Sequence, residues 1–157
     1  MKSVDEIICF QEIPDEISLG LSISNCPNNC KNCHSPWLRE DIGKEVAAIL
    51  PQLVRKYSGQ ISCVLFMGGD DSKQIDDLKR MLHYCRAKEL KTALYSGFDV
   101  NPRINELLPL LDYYKIGSYQ EEKGALKSPT TNQRLYKKED GEWKDITHLF
   151  WTSVIEK

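Results

Sequence analysis

The 157-residue sequence predicts an α/β protein, one domain across residues 1–157 with a parallel sheet and a C-terminal hairpin. Three observations predict it. Strand-like runs alternate with helical ones along most of the chain, the pattern of βαβ units joined by right-handed crossovers. One run, "ISCVLFM" (61–67), is continuously apolar, as a strand buried on both faces must be. Each chemically unusual stretch also directly follows a strand, at the edge where parallel architectures collect ligands.

The elements follow in order. Residues 4–10 have strand character and end before a turn around Pro14-Asp15. In 16–24, Ile17, Leu19, Leu21 and Ile23 alternate with Ser18, Gly20, Ser22 and Ser24. A period of two specifies a strand. Its second face carries only small side chains, so a neighbouring element or a ligand is expected to come close. Residues 47–57 put Ile49, Leu50, Leu53 and Val54 on one helical face, which requires Pro51 to sit in the first turn or to kink the helix. Ser58-Gly59 stops it. Strand 61–67 then runs into "GGDDS", where Asp71 and Gln74 have the spacing of a capping box. Ile75, Leu78, Met81, Leu82 and Cys85 continue at helical spacing. "KTALYSG" (91–97) is the third strand of the parallel set, a short helix covers 104–111, and "YYKIG" (113–117) is the fourth. "EKGALKSP" (122–129) reads as solvated loop. Asp140-Gly141 marks a hairpin turn, and Trp143, Phe150 and Trp151 read as packing residues.

Composition narrows the function. The 21 Lys+Arg nearly balance 23 Asp+Glu, so neither nucleic acid nor an anionic membrane surface is an expected partner. No apolar run approaches the roughly 20 residues that span a bilayer. "MKSVDEIICF" has acids where a signal peptide has its apolar segment, which predicts a cytoplasmic protein. Its six cysteines are then expected to be reduced thiols. Cys9, Cys63 and Cys85 stand alone in apolar patterns, as small core residues do. Cys26, Cys30 and Cys33 form a constellation.

The spacing C-x3-C-x2-C in "CPNNCKNC" lets three thiolates converge on one centre, a zinc ion or a cubane iron–sulfur cluster. Structural zinc wants four protein ligands. His34, adjacent to Cys33, is poorly placed to be the fourth, and His83 and His148 are remote in sequence. A [4Fe-4S] cluster on three cysteines instead leaves one iron open, as catalytic metals require. A structural or electron-carrying zinc or iron–sulfur module remains the alternative.

Taken together these residues resemble a known family. "CPNNCKNC" is similar to the signature of the radical S-adenosylmethionine (radical SAM) superfamily, and "FMGGDD" (66–71) resembles its Gly-Gly-Glu motif. "LYSGFD" (94–99), "TTNQRLY" (130–136) and the short chain resemble the activating proteins of anaerobic ribonucleoside-triphosphate reductase, over residues 17–136. The resemblance implies a truncated βα barrel of the radical SAM type. It implies a [4Fe-4S] cluster on Cys26, Cys30 and Cys33, with S-adenosyl-L-methionine on the open iron and its methionyl end held by Gly68, Gly69 and Asp70. The activity implied is reductive cleavage of that cofactor to a 5′-deoxyadenosyl radical, which abstracts hydrogen from a glycine Cα of the reductase large subunit. The electron would come from a donor such as flavodoxin or ferredoxin.

By the same resemblance, Ser96, with Gly97, Phe98 and Asp99, lines the ribose and adenine pocket. Asn132, Gln133 and Arg134 close over the cofactor or meet the partner. Three positions depart from the family. Asn32 occupies a slot that is usually aromatic, which leaves adenine to the backbone or to neighbours such as His34. Asn25 stands where glycine is usual, and Asp70 where glutamate is common. A radical SAM enzyme with another glycyl-radical partner or a small-molecule substrate is the second reading, although so short a chain has little to wall off a small substrate.

Overall fold

In a computed structural model, residues 1–26 and 36–151 are described. The strands are β1 (Lys2–Cys9), β2 (Ser18–Ile23), β3 (Lys44–Glu45), β4 (Cys63–Met67), β5 (Lys91–Tyr95), β6 (Tyr113–Ile116), β7 (Arg134–Glu139) and β8 (Glu142–Asp145). They form one sheet in the order β3-β1-β2-β4-β5-β6-β7-β8. At its centre β2, β4, β5 and β6 run parallel. Antiparallel strands flank them on both sides.

Three helices lie in the crossovers: α1 (Val46–Lys56) between β2 and β4, α2 (Ile75–Ala87) between β4 and β5, and α3 (Ile104–Leu107) between β5 and β6. Their apolar faces pack on the same side of the sheet, where Val46, Leu50, Leu78, Leu82 and Leu107 meet Leu21, Phe66 and Leu94 in one buried cluster. The parallel strands add in sequence order, so the winding never reverses. Repeated right-handed crossovers in one direction place every helix on one face.

The other face carries a second cluster of Cys63, Leu65, Ala93, Tyr113 and Leu135, closed by Ile13, Leu126 and Ile146 from outside the strands. Successive residues of β4 alternate between the two clusters, which is why "CVLFM" (63–67) has to be apolar throughout. The small residues of β2 prove to serve packing. A Cβ on Gly20 would lie 2.8 Å from Cys9 Sγ and 3.3 Å from Met67 Cε. The isolated cysteines are core residues as expected, and burial pushes the Cys9 thiol up to about 11 and the Cys85 thiol to about 12. The hairpin is also as read: Asp140 (φ 52°) and Gly141 (φ 80°) join β7 to β8 in the left-handed conformations a two-residue turn requires.

Three local expectations need correction. Pro51 sits inside α1, beyond its first turn. Its ring removes one backbone hydrogen bond, but buried Val46 and Leu50 before it, with Leu53 and Val54 packed on the same cluster after it, hold the helix to the sheet. Asp71 and Gln74 do not form a capping box. The Gln74 amide Nε2 donates to the Asp71 carboxylate and to the Ser24 carbonyl, and α2 begins only at Ile75. Leu126 plugs the second core cluster, so residues 122–129 are not all solvated.

Candidate cofactor site

The register of the parallel strands builds the site. Ser22 of β2 pairs with Met67 of β4, and Met67 with Tyr95 of β5, so the three strands end level. The loops that follow them converge on a cavity of about 970 Å³, within the range that holds a nucleoside-sized ligand.

After β2, Asn25 adopts φ 59°. This is the left-handed region, where glycine is at ease and asparagine is the best tolerated substitute. Asn25 therefore fills a usual glycine position without changing the turn. Its side-chain amide donates to Asp41 Oδ1 at 3.1 Å, and its backbone N–H to the Glu40 carbonyl. The Cys26 N–H donates to the Leu38 carbonyl at 2.7 Å, so the turn Pro36–Arg39 folds back and pins the start of the cysteine loop. Cys26 is half-buried and lines the cavity. Cys30, Asn32, Cys33 and His34 lie outside the described residues.

After β4, Gly68 (φ 104°) and Gly69 (φ 93°) turn the chain sharply, with the Gly68 N–H donating to the Tyr95 carbonyl. The turn carries Asp70 over the end of β5. There its carboxylate accepts Ser96 Oγ at 2.6 Å and Asn101 Nδ2 at 3.0 Å. Asn101 Nδ2 also donates to the Asp70 carbonyl. Asp70 is only 4% exposed and has no ion-pair partner among the described residues. Burial raises its pKa, and neighbouring Asp71 adds to the rise. The Ser96 and Asn101 hydrogen bonds oppose it. A buried carboxylate without a cation is costly to keep ionised, and a cationic ligand would relieve that cost.

Cys26 and Asp70 thus line one cavity, together with Gln74, Phe98 and Asn101. Ser96 does not line it. Its hydroxyl is buried, donates to Asp70 and accepts the Phe98 N–H, so it stands one step behind the wall. Gly68 and Gly69 also lie behind Asp70, against Ile23 and Met1. The expectation that all four post-strand loops share one pocket is corrected. The loop after β6 turns away and lines a separate cavity of about 420 Å³ through Tyr119 and Gln133. Asn132 and Gln133 brace that loop by donating to the Ser118 and Gly117 carbonyls, while Arg134 pairs with Asp145 and stacks on Trp151. None of these three reaches the Cys26–Asp70 cavity. Asn101 and Gln74 went unassigned as site residues from sequence. The only local sign was their position just beyond a strand end.

Against this geometry, the profile of the 4Fe-4S single cluster domain family matches residues 17–136. The chain belongs to that family. The match starts before β2, runs through all four parallel strands and ends inside β7, so it encloses Cys26, Cys30, Cys33, Asp70 and Ser96. No curated protein and no solved structure matches the chain. As a 4Fe-4S single cluster domain, the protein has an iron–sulfur cluster rather than zinc as its metal centre. The donor chemistry fits: Cys26 stands at the cavity wall, and cysteine thiolates are the ligands such clusters take. No described helix is long and apolar enough to cross a membrane.

The glycine turn supports a direct test. Alanine at Gly69 meets an unfavourable φ, and its Cβ would lie 2.7 Å from Met1 Sδ; at Gly59 (φ 79°) nothing lies within 4 Å. Gly59→Ala therefore measures backbone strain alone, about 1 kcal/mol, and Gly69→Ala adds the displacement of Met1. Thermal melts should place Gly69→Ala below Gly59→Ala by a few degrees. Equal melting temperatures would show that Met1 moves aside freely.

Proposed function

We propose that this 4Fe-4S single cluster domain is a radical SAM enzyme that activates the large subunit of anaerobic ribonucleoside-triphosphate reductase by forming a glycyl radical on it. One observation carries the reading: a cluster-type cysteine and a buried carboxylate without a cation line the same cavity at the carboxyl ends of adjacent parallel strands. A three-cysteine site leaves one iron open to a ligand, and the cavity beside Cys26 offers space and negative charge for S-adenosyl-L-methionine.

In this reading Cys26, Cys30 and Cys33 hold the cluster. When bound there, the cluster would supply the electron for reductive cleavage of S-adenosylmethionine, the chemistry that would let hydrogen be taken from a partner glycine Cα. The protein's own residues position and shield. Asp70 receives the methionyl ammonium in a charge-assisted hydrogen bond, with Ser96 and Asn101 holding the carboxylate in one orientation. Gly68 and Gly69 act from behind, making the turn that sets Asp70 at the cavity wall. Phe98 presents an aromatic wall to the cavity, a fit for adenine now that Asn32 occupies the usual aromatic slot. The one-directional winding of β2, β4, β5 and β6 is the feature a partial βα barrel would need, and the open side of such a barrel would admit a loop of the partner. Flavodoxin or ferredoxin would supply the electron.

Anaerobic reconstitution with iron and sulfide, reduction and EPR spectroscopy test this directly. The expected [4Fe-4S]⁺ signal changes shape when S-adenosylmethionine is added, and a glycine-centred doublet appears when the reductase is present. A signal indifferent to S-adenosylmethionine would remove the catalytic reading and leave an electron-carrying or structural cluster domain. A response to S-adenosylmethionine without the doublet would keep the chemistry and exclude this partner.

A further inference from the structure

Gln74 carries a side-chain acceptor that the fold leaves unused. The residue is 6% exposed and lines the same cavity as Cys26 and Asp70. Its Nε2 donates to the Ser24 carbonyl at 3.1 Å and to Asp71 Oδ1 at 2.8 Å. Both partners accept, so the amide cannot be flipped, and the oxygen's identity follows from the network. Its Oε1 is buried and has no hydrogen-bond partner among the described residues. A buried acceptor left unpaired is costly, so Gln74 is a poor choice for a purely structural strut. Asp70 and Asp71 precede it in the sequence and line the same cavity, which favours a donor that carries positive charge.

We propose that Gln74 Oε1 is a ligand acceptor for a primary ammonium and acts alongside Asp70 as a specificity residue for the amino-acid end of the cofactor. This inference rests on the S-adenosylmethionine reading above and adds a residue to it. The division of labour follows from the amide. Nε2 ties the end of β2, just before the cysteine loop, to the loop after β4, and Oε1 faces the ligand. One side chain thereby sets the ammonium site relative to the cluster loop.

Calorimetric titration of anaerobically reconstituted protein tests it with three probes: S-adenosylmethionine, S-adenosylhomocysteine, which keeps the ammonium but lacks the sulfonium, and methylthioadenosine, which lacks the amino-acid end. Gln74→Met deletes donor and acceptor; Gln74→Glu keeps an acceptor and deletes the donor. For Gln74→Met, both ammonium-bearing probes should weaken by about 10- to 100-fold, with methylthioadenosine within about twofold of wild type. Gln74→Glu should bind S-adenosylmethionine at least as tightly as wild type. Equal losses on all three probes in both variants would mean a strut alone and overturn the inference, as would Gln74→Met binding like wild type. If Gln74→Met does not load iron, Gln74→Glu decides: a loss of about tenfold or more on S-adenosylmethionine overturns the inference, and retained affinity supports it. Wild-type protein that binds none of the probes overturns the cofactor reading, and this inference with it.

Discussion

Replacing Cys26, Cys30 or Cys33 with alanine, one at a time, is expected to abolish cluster assembly. Iron retained after anaerobic reconstitution should fall from about four atoms per chain to below one, with loss of the [4Fe-4S]⁺ EPR signal. Two thiolates cannot hold a cubane already one protein ligand short. Nor can the remaining cysteines substitute. Cys9, Cys63 and Cys85 are each at most 3% exposed, and burial keeps their thiols protonated well above neutral pH. Cys85→Ala is the control. It should load a full cluster while melting somewhat lower, because it opens a small void in the core beside α2. Full iron and an unchanged spectrum in Cys33→Ala would show that the ligand set has been misassigned.

Asp70→Asn should have opposite effects on binding and on stability. For S-adenosylmethionine we expect a loss of about 10- to 150-fold, the value of a hydrogen bond to a charged group, measured by titration of the loaded protein. For folding, the relevant fact is that burial raises the Asp70 pKa above its ordinary value of 3.8. Between 3.8 and the raised value the folded chain keeps a proton that the unfolded chain has released. Stability therefore falls as pH rises through that window, and the full penalty stands at neutral pH. Asparagine removes the penalty and keeps the shape. Its amide oxygen, placed where Asp70 Oδ2 lies, can accept from both Ser96 Oγ and Asn101 Nδ2. Asp70→Asn should thus melt at or above the wild-type temperature at pH 7, with the advantage vanishing below pH 3.8. A variant less stable at pH 7 with unchanged affinity would identify Asp70 as a structural residue. These two results, with the Gln74 probes, test cluster assembly and ammonium binding as independent questions.

Much of this architecture was legible because it depends on short-range pattern. The alternation in β2, the apolar run of β4 and the helical spacing of α2 each report which faces are buried, and the structure buries those faces. Of the two alternatives for Pro51, the first turn is excluded, and the interior position is tolerated because α1 is held by the sheet beneath it, where propensity rules describe an isolated helix. The Asp71–Gln74 spacing was real, yet its meaning was not local: the amide that a capping box would spend on the helix reaches Ser24, fifty residues earlier. Leu126 in a polar segment and Gly20 in a row of serines look like loop and ligand face until the elements packed against them are known.

From the sequence alone came the order of strands and helices, the hairpin turn and the three-cysteine constellation, because periodicity, turn chemistry and ligand spacing all act within a few residues along the chain. Only the tertiary structure decided that Asp70 is buried with no ion-pair partner among the described residues, that Ser96 stands behind it rather than lining the cavity, that Asn101 and Gln74 join the cavity wall, and that the loop after β6 serves another cavity. Those outcomes depend on register. Met67 stands opposite both Ser22 and Tyr95, so three loops begin level at one edge and residues 26, 70, 74 and 101 meet there, a coincidence in space that no local pattern encodes.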